Sequence, residues 1–154
     1  MIIKNIHKLK DKAFQNQRIL SLDFGTKKLG FAISDQARKV ATPLSNHKRK
    51  TIEADIENIQ TILLGYESNI LVLGLPLDKD GSYGDSAQRV KSFANIIANN
   101  MPELNIFFWD ERYSTRAASR VFEEYNISPK EQDKHDDKIA ACIFLQSCLD
   151  FIAS

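Results

Sequence analysis

The sequence predicts an α/β domain in which helices flank a mixed β-sheet. Three observations lead to this prediction. Apolar and polar residues alternate through 18–34, interrupted only by the short connection from Gly25 to Gly30, which is typical of an antiparallel hairpin. Residues 69–76 and the run that begins at Asn105 are nearly all apolar, as in strands buried on both faces. Segments of helical periodicity separate these runs, so the later strands are expected to be parallel.

The predicted elements follow in chain order. Residues 1–17 form a basic arm with the spacing of a short amphipathic helix, and residues 18–154 form one domain. A third antiparallel strand fits Lys39–Leu44 and ends near Pro43. Thr51 is suited to cap the first helix because its hydroxyl can accept from a free backbone N–H. The remaining helices are expected around residues 90–101, at Ser114–Tyr125 and at Lys134–Ile152.

Composition limits the class of protein. The chain has 154 residues, 43% of them hydrophobic and 27% charged, as in an ordinary soluble domain. No apolar run approaches the roughly 20 residues of a membrane helix, and the N-terminus lacks a secretory apolar region, so a cytoplasmic location is expected. Cys142 and Cys148 lie six residues apart in one predicted helix and are expected to be small core residues without a mutual disulfide.

Charge is divided unevenly along the chain. Residues 1–50 contain twelve Lys and Arg but three Asp and Glu, whereas residues 51–154 contain nine and seventeen. The basic half favours a polyanionic partner, and ordinary solvated surface is the alternative.

Acidic residues occur in three segments of the chain that the predicted topology brings to one edge of the sheet. Ligands of α/β sheets bind at this edge, outside the carboxyl ends of the strands. One acid interrupts the first buried strand, two end the "IFFWDE" run, and three open the last helix at helical spacing. Each has a structural alternative, such as favourable charge at a helix N-terminus or a strand-to-helix turn. The residues are Asp23; Asp110 and Glu111; and Asp133, Asp136 and Asp137.

These acids suggest metal chemistry. Gathered carboxylates repel and raise one another's pKa unless a cation lies among them. Oxygen-only ligands favour Mg²⁺ or Mn²⁺. Two such ions about 3.5–4 Å apart would assist an in-line phosphoryl displacement, so a two-metal site is expected.

Four motifs, in order, resemble one protein family. They are "DFGTKKLGFAISD" (23–35), "LVLGLP" (71–76), "WDERYST" (109–115) and "DKIAACIFLQSCLD" (137–150). The chain resembles the bacterial pre-16S ribosomal RNA nucleases, also called Holliday-junction-resolvase-like proteins, over about residues 18–152. The resemblance implies a ribonuclease H-like fold and a divalent-metal phosphodiesterase.

The resemblance also assigns site residues. It implies that Asp23, Glu111 and Asp137 are catalytic and bind metal, with Asp110 as a further candidate ligand. Resolvase relatives often carry the second acid on the strand that "LVLGLP" occupies here. This chain has Gly74 in that strand, so the role is inferred to move to the "DER" acid, and the choice between Asp110 and Glu111 stays open.

Nucleic-acid contacts are expected around these acids. Gly25 would allow a tight turn and leave room for a phosphate. Arg112, Arg116 and Arg120 form a stripe suited to phosphates, although pairing with Glu111, Glu123 or Glu124 is the alternative, above all for Arg120. The "HKRK" segment (47–50) is expected to be a solvated loop that adds positive charge. His135 is expected to be an exposed residue of the capping region, with proton transfer near the metals as the alternative. Thr26, Lys27 and Lys28 are expected to contact the nucleic-acid backbone.

The expected function is processing of the 5′ end of pre-16S ribosomal RNA by a metal-dependent nuclease. Two alternatives remain, a Holliday junction resolvase and a non-catalytic nucleic-acid-binding factor of ribosome assembly. "DFGT" also resembles the phosphate loop of actin-like ATPases, but those need a second domain for which 154 residues leave no room. Expected partners are structured RNA, branched DNA and ribosomal particles, with the protein a monomer or homodimer.

Overall fold

The computed structural model of the chain describes residues 1–132 and 136–154, without the side chains of Thr115 and Gln132. A six-stranded sheet runs through its centre. The strands are β1 (Ile2–Ile3), β2 (Leu20–Phe24), β3 (Lys28–Ser34), β4 (Ala41–Lys48), β5 (Ile70–Leu75) and β6 (Asn105–Asp110).

The strand order is β1-β6-β5-β2-β3-β4. Strands β2, β3 and β4 pair antiparallel, whereas β2, β5, β6 and β1 pair in parallel. The predicted mixed sheet, antiparallel at first and then parallel, is therefore confirmed.

Five helices are described, namely α1 (Ile52–Gly65), α2 (Asp85–Asn100), α3 (Thr115–Glu124), α4 (Pro129–Gln132) and α5 (Asp137–Ala153). Thr51 caps α1 as predicted, its Oγ1 accepting from the Ala54 N–H at 3.1 Å. Helix α5 begins at Asp137, and the predicted start at Lys134 lies outside the described residues. Within the described part of the chain, no helix is both long and apolar enough to cross a membrane.

The N-terminal arm packs on the domain. Its β1 extends the parallel edge of the sheet, and two 3-10 turns follow at Ile6–Lys10 and Lys12–Phe14. The prediction of one amphipathic helix was wrong, because the Asn5 side chain caps the first turn and Asp11 separates it from the second in extended backbone. Leu9 of the arm is fully buried, and Ile3, Ile6 and Phe14 pack against the same core.

Strand β4 runs past Pro43 to Lys48, four residues beyond the predicted end. A proline is tolerated here because β4 lies at the edge of the sheet, where one side of the strand needs no backbone donor. The pairing with β3 also shifts register between Phe31 and Ala32, close to the proline.

The two faces of the sheet carry separate cores. Leu20 and Leu22 of β2 face the core formed with α1 and α2, whereas Ile19 packs with α5 on the opposite face. Side chains alternate along a strand, so Asp23 lies on the α5 face. Cys142 and Cys148 are buried free thiols of that core, as predicted.

A buried ion cluster replaces the expected solvated "HKRK" loop. Asp55 of α1 is fully buried and binds His47 Nε2 at 3.1 Å and Arg49 Nε at 2.8 Å. The Arg49 guanidinium also donates to the Gly25 carbonyl at 3.1 Å and lies over the Phe24 ring. For His47 and Arg49 the prediction was wrong, because a buried carboxylate on the neighbouring helix requires a counter-ion and hydrogen-bond partners, which these two residues supply. Lys48 and Lys50 are exposed, as expected.

Removing this carboxylate should destabilise the fold. We expect Asp55→Ala to lower the free energy of unfolding by about 3 kcal/mol, because it leaves Arg49 partly buried without its counter-ion. Asp150→Ala is the matched control, since the Arg120–Asp150 pair is exposed and should cost less than about 1 kcal/mol. Urea unfolding of both variants measures the difference, and equal losses would contradict a structural role for the cluster.

Candidate active site

Asp23 lies near the carboxyl end of β2 with a glycine on each side. Gly30 of β3 is its direct partner across the antiparallel pair. Leu22 pairs with Leu73 of β5, so Gly74 is the next residue along on the other side. Both glycines belong to the α5 face, because Ala32 and Val72, two positions away, pack in that core. The surface beside Asp23 is therefore bare backbone on two strands.

Glu111 occupies the space above Gly74. A Cβ built on Gly74 would collide with Glu111 Oε1 and would lie within 2.8 Å of the Phe144 ring. Glu111 follows β6 in a short 3-10 turn, so its side chain reaches back over the neighbouring strand. The absence of a side chain at position 74 thus makes room for the carboxylate of Glu111.

Asp137 occupies the space above Gly30. A Cβ on Gly30 would overlap the backbone and Cβ of Asp137, so the glycine lets the start of α5 lie directly on the sheet. Asn46 of β4 fixes this helix start, because its side chain accepts from the Lys138 N–H at 2.9 Å and donates to Asp136 at 3.2 Å. Asp137 is only 4% exposed.

The three carboxyl groups interact electrically. Burial raises the pKa of Asp23 to about 8, and the negative charges of Glu111 and Asp137 and a hydrogen bond to Asp137 add to the effect. A carboxyl group with such a pKa holds its proton at neutral pH unless another positive charge replaces it. The structure therefore brings Asp23, Glu111 and Asp137 together, as their places in the sequence predicted.

Asp110 is engaged elsewhere. Its carboxylate receives Arg112 Nη2 at 2.6 Å, Arg112 Nε at 3.0 Å and the Arg112 backbone N–H at 3.0 Å. Burial opposes ionisation, but these hydrogen bonds and the guanidinium charge lower the pKa of Asp110 below its usual value. Its ligand role stays a prediction, and the geometry favours Glu111 for the second carboxylate.

The donors fit a hard divalent cation in type but do not form a closed metal centre. All three are carboxylates, the ligands that Mg²⁺ and Mn²⁺ prefer. Within residues 1–132 and 136–154, no three His, Cys, Asp or Glu side chains are grouped as metal ligands. Asp133 and His135, which were also considered near this site, lie outside the described residues.

The turn after Asp23 is exposed and basic. Thr26, Lys27 and Lys28 are all exposed, and Lys28 at the start of β3 is the strand partner of Lys48 in β4. Gly25 N–H donates to the Lys28 carbonyl at 2.9 Å, and a Cβ on Gly25 would lie 2.7 Å from that oxygen. The predicted tight turn is confirmed, and contact of these residues with nucleic acid stays a prediction.

The arginine stripe divides into three situations. Arg112 binds Asp110 and also donates to the Lys79 carbonyl at 3.2 Å. This second bond connects the loop between β5 and α2 to the site. Arg120 pairs with Asp150 at 2.6 Å, so it is paired, although not with the glutamates considered from the sequence. Arg116 is exposed. A role in nucleic-acid binding stays a prediction for Arg112 and Arg116.

A cleft of about 310 Å³ opens from the acids towards α2. Arg89 and Ser86 of α2 line it together with Asp23, Glu111 and Phe24. These two α2 residues were not predicted from the sequence. Their spacing of three indicates that they are neighbours on a helix, but it does not indicate that they lie near the acids. Sequence reasoning also missed Gly30, Asn46, Arg49 and Asp55, whose contacts involve residues distant in sequence.

The six-stranded mixed sheet and its flanking helices define a protein of ribonuclease H-like fold. Thermus thermophilus RuvC in complex with a Holliday junction substrate has a similar fold, with a TM-score of 0.61 over 85% of this chain and 91% of that chain, at 12% identity. The resolvase of Fowlpox virus, solved with Holliday junction DNA, gives a TM-score of 0.55 over 90% and 100%, also at 12% identity.

Sequence comparison identifies the family. The family model described as "RuvX: Holliday junction resolvase" matches residues 17–151. A protein of Ehrlichia ruminantium (strain Welgevonden) is 40% identical over 152 residues, which cover 99% of this chain and 97% of the relative. One of Ruegeria sp. (strain TM1040) is 40% identical over 136 residues, which cover 88% of this chain and 86% of the relative. Both carry the name "Putative pre-16S rRNA nuclease". This chain belongs to that family.

Filling the space above Gly74 should disable the site. We expect Gly74→Ala to displace Glu111 and Phe144, to lower the free energy of unfolding by about 1–3 kcal/mol and to reduce cleavage at least tenfold. Gly65→Ala is the control, because nothing lies within 4 Å of a Cβ at that position. Cleavage rates and urea unfolding measure both effects, and a fully active Gly74→Ala variant would contradict the proposed placement of Glu111.

The raised pKa of Asp23 should make stability depend on pH. The folded carboxyl releases its proton at about pH 8, whereas the ordinary pKa of an Asp side chain is 3.8, so rising pH between these values progressively disfavours the folded state. We expect Asp23→Asn to stabilise the protein by at least about 1 kcal/mol more at pH 8 than at pH 5, in urea unfolding with EDTA.

Asp35→Asn supplies the matched control. Burial opposes ionisation of Asp35, but backbone N–H groups of Val40 and Lys39 lower its pKa. The Asp35 carboxylate therefore contributes its full share to the free energy of unfolding at any pH above its unfolded pKa. The effect of Asp35→Asn should therefore be the same at both pH values. A pH-independent effect of Asp23→Asn would show that the carboxyl group titrates normally.

Proposed function

We propose that this protein is a divalent-metal-dependent nuclease that processes the 5′ end of pre-16S ribosomal RNA. The observation that carries the proposal is the convergence of Asp23, Glu111 and Asp137 over two glycine positions at the carboxyl end of the central strand. Membership of a family whose relatives are named for this activity supports the same conclusion. The protein is accordingly a hydrolase acting on phosphodiester bonds.

The three carboxylates are proposed to hold the metal and to be catalytic. Three acids that share a half-buried site at a cost in charge repulsion are hard to explain without a cation. Mg²⁺ or Mn²⁺ would polarise the scissile phosphate and make water a stronger nucleophile. Glu111 is proposed as the second ligand, because Asp110 is already neutralised by Arg112.

The surroundings of the acids are suited to a polyanion. Lys27 and Lys28 are exposed in the turn that follows Asp23, and Lys48 and Lys50 are exposed on and just beyond the adjacent strand. Cations beside a carboxylate cluster offset its repulsion of an approaching phosphate backbone. Thr26 is proposed to donate a hydrogen bond to the same backbone. Arg112 positions the site through Asp110 and the Lys79 carbonyl, and Arg116 is proposed as a more distant phosphate contact.

A Holliday junction is the second candidate substrate. It is favoured by the description of the matching family and by the fold shared with resolvases solved with junction DNA. Cutting two symmetric strands would call for a two-fold homodimer, whereas RNA maturation suits a monomer as well. We propose that the protein acts in the cytoplasm and that it binds its RNA substrate within ribosomal particles.

The function can be tested by cleavage of a pre-16S RNA fragment and a four-way DNA junction in parallel. Each is incubated with Mg²⁺, with Mn²⁺ and with EDTA, using the wild-type protein and Asp23→Asn. We expect cleavage of the RNA that needs metal and falls at least a thousandfold in Asp23→Asn, because the ligand carboxylate is lost. Binding of the RNA in EDTA should persist in the variant.

The other results point to specific alternatives. Paired cuts in the junction, with the RNA intact, would replace the maturation proposal by a resolvase. Binding of either substrate without cleavage under any metal would indicate a non-catalytic assembly factor. Full activity of Asp23→Asn would contradict the assigned site.

A further inference from the structure

One cationic side chain in the cleft is left unused by the fold. Arg89 lines the same cleft as Asp23 and Glu111. Three other arginines make close ion pairs, Arg49 with Asp55, Arg112 with Asp110 and Arg120 with Asp150. Within the part of the chain that the structure describes, Arg89 has no hydrogen bond or ion pair. Its guanidinium is therefore available to an external anion.

The position of Arg89 on its helix directs it to the cleft together with two neighbours. Arg89 and Val90 follow Ser86 by three and four residues, so each lies next to Ser86 on the surface of α2. Ser86 and Arg89 are exposed and polar, whereas Val90 is 2% exposed and forms part of the wall. This part of α2 combines a hydroxyl donor and a cation with an apolar surface.

The opposite wall is also apolar close to the acids. Phe24 follows Asp23 directly and lines the cleft, as do Pro76 and Gly74. The Phe24 ring is held in place by the Phe93 ring at 4.8 Å and by the Arg49 guanidinium at 4.8 Å. A rigid apolar wall next to a free cation is suited to a base attached to a phosphate.

The size of the cleft limits its occupant. Its volume of about 310 Å³ lies at the lower end of the range for small-molecule sites, which suits one nucleotide. A base must leave its stack to enter such a space, and unpaired bases do so most easily.

We infer that the cleft between Phe24 and α2 binds one unpaired nucleotide next to the scissile phosphate, with Arg89 and Ser86 on its phosphate and Phe24 and Val90 against its base. The inference rests on the proposed nuclease function. It makes the site selective for a strand that is locally single-stranded at the position of cleavage.

Binding in EDTA tests the inference without cleavage. Fluorescence anisotropy is measured with a labelled single-stranded RNA and with the same sequence as a duplex, between roughly 50 and 200 mM salt. We expect Arg89→Gln to weaken single-strand binding about tenfold and to reduce the salt slope by about one, because one charged phosphate contact is lost. Arg89→Lys should keep the slope, and duplex binding should change less.

Lys91→Gln is the matched control. It removes the same charge from the same helix, but Lys91 lies against Tyr83 and does not line the cleft. We expect its single-strand affinity to stay within about threefold of the wild type. Thermal unfolding of each variant checks that the fold is intact.

Each outcome has a distinct meaning. Equal affinities and slopes for Arg89→Gln and Lys91→Gln would overturn the assignment of Arg89, and an equal loss on duplex would overturn the unpaired nucleotide. If the wild type cleaves RNA and Asp23→Asn does not, the nuclease proposal stands, and either of these two binding results counts against the nucleotide site in the cleft alone. If nothing cleaves but single-strand binding depends on Arg89, the nuclease proposal fails and the nucleotide site stands.

Discussion

The site depends on the absence of side chains at two positions beside Asp23. Gly30 and Gly74 lie on the strands that flank it, and a Cβ at either would overlap Asp137 or Glu111. A sheet surface is normally covered by side chains that keep the next layer of the protein roughly 10 Å away. Because both glycines lack a side chain, the start of α5 and the 3-10 turn after β6 lie directly on the backbone of the sheet. This contact brings three carboxylates from distant segments close enough to interact electrostatically.

The rest of the local structure serves to hold these segments in place. Asn46 fixes the start of α5, and Arg112 fixes Asp110 and the neighbouring loop. On the other face of the sheet, Asp55 holds Arg49 against Phe24 and the Gly25 carbonyl. These contacts hold the three acidic residues close together although their charges repel, as expected of a site that binds a cation and a phosphate.

Much of this arrangement could be predicted from the sequence. Strand patterns and the motifs gave the mixed sheet, and the rule that ligands bind at the carboxyl ends of strands grouped Asp23, Glu111 and Asp137. Contacts between distant segments were not predictable. The partner of Asp55 is visible only once α1 lies beside β4, and the space above Gly74 exists only once β5 lies next to β6. The form of the arm was also missed, because apolar spacing alone does not distinguish 3-10 turns from an α-helix.

The central claim is that Glu111, placed over Gly74, and not the adjacent Asp110, completes a carboxylate site for a divalent cation. Calorimetric titration with Mn²⁺ of the wild type, Asp23→Asn, Glu111→Gln and Asp110→Asn tests it most directly. The account predicts that Asp23→Asn and Glu111→Gln weaken Mn²⁺ binding at least tenfold, and that Asp110→Asn changes it by less than about threefold. Weaker binding in Asp110→Asn than in Glu111→Gln, or affinity that no carboxylate variant alters, would contradict it.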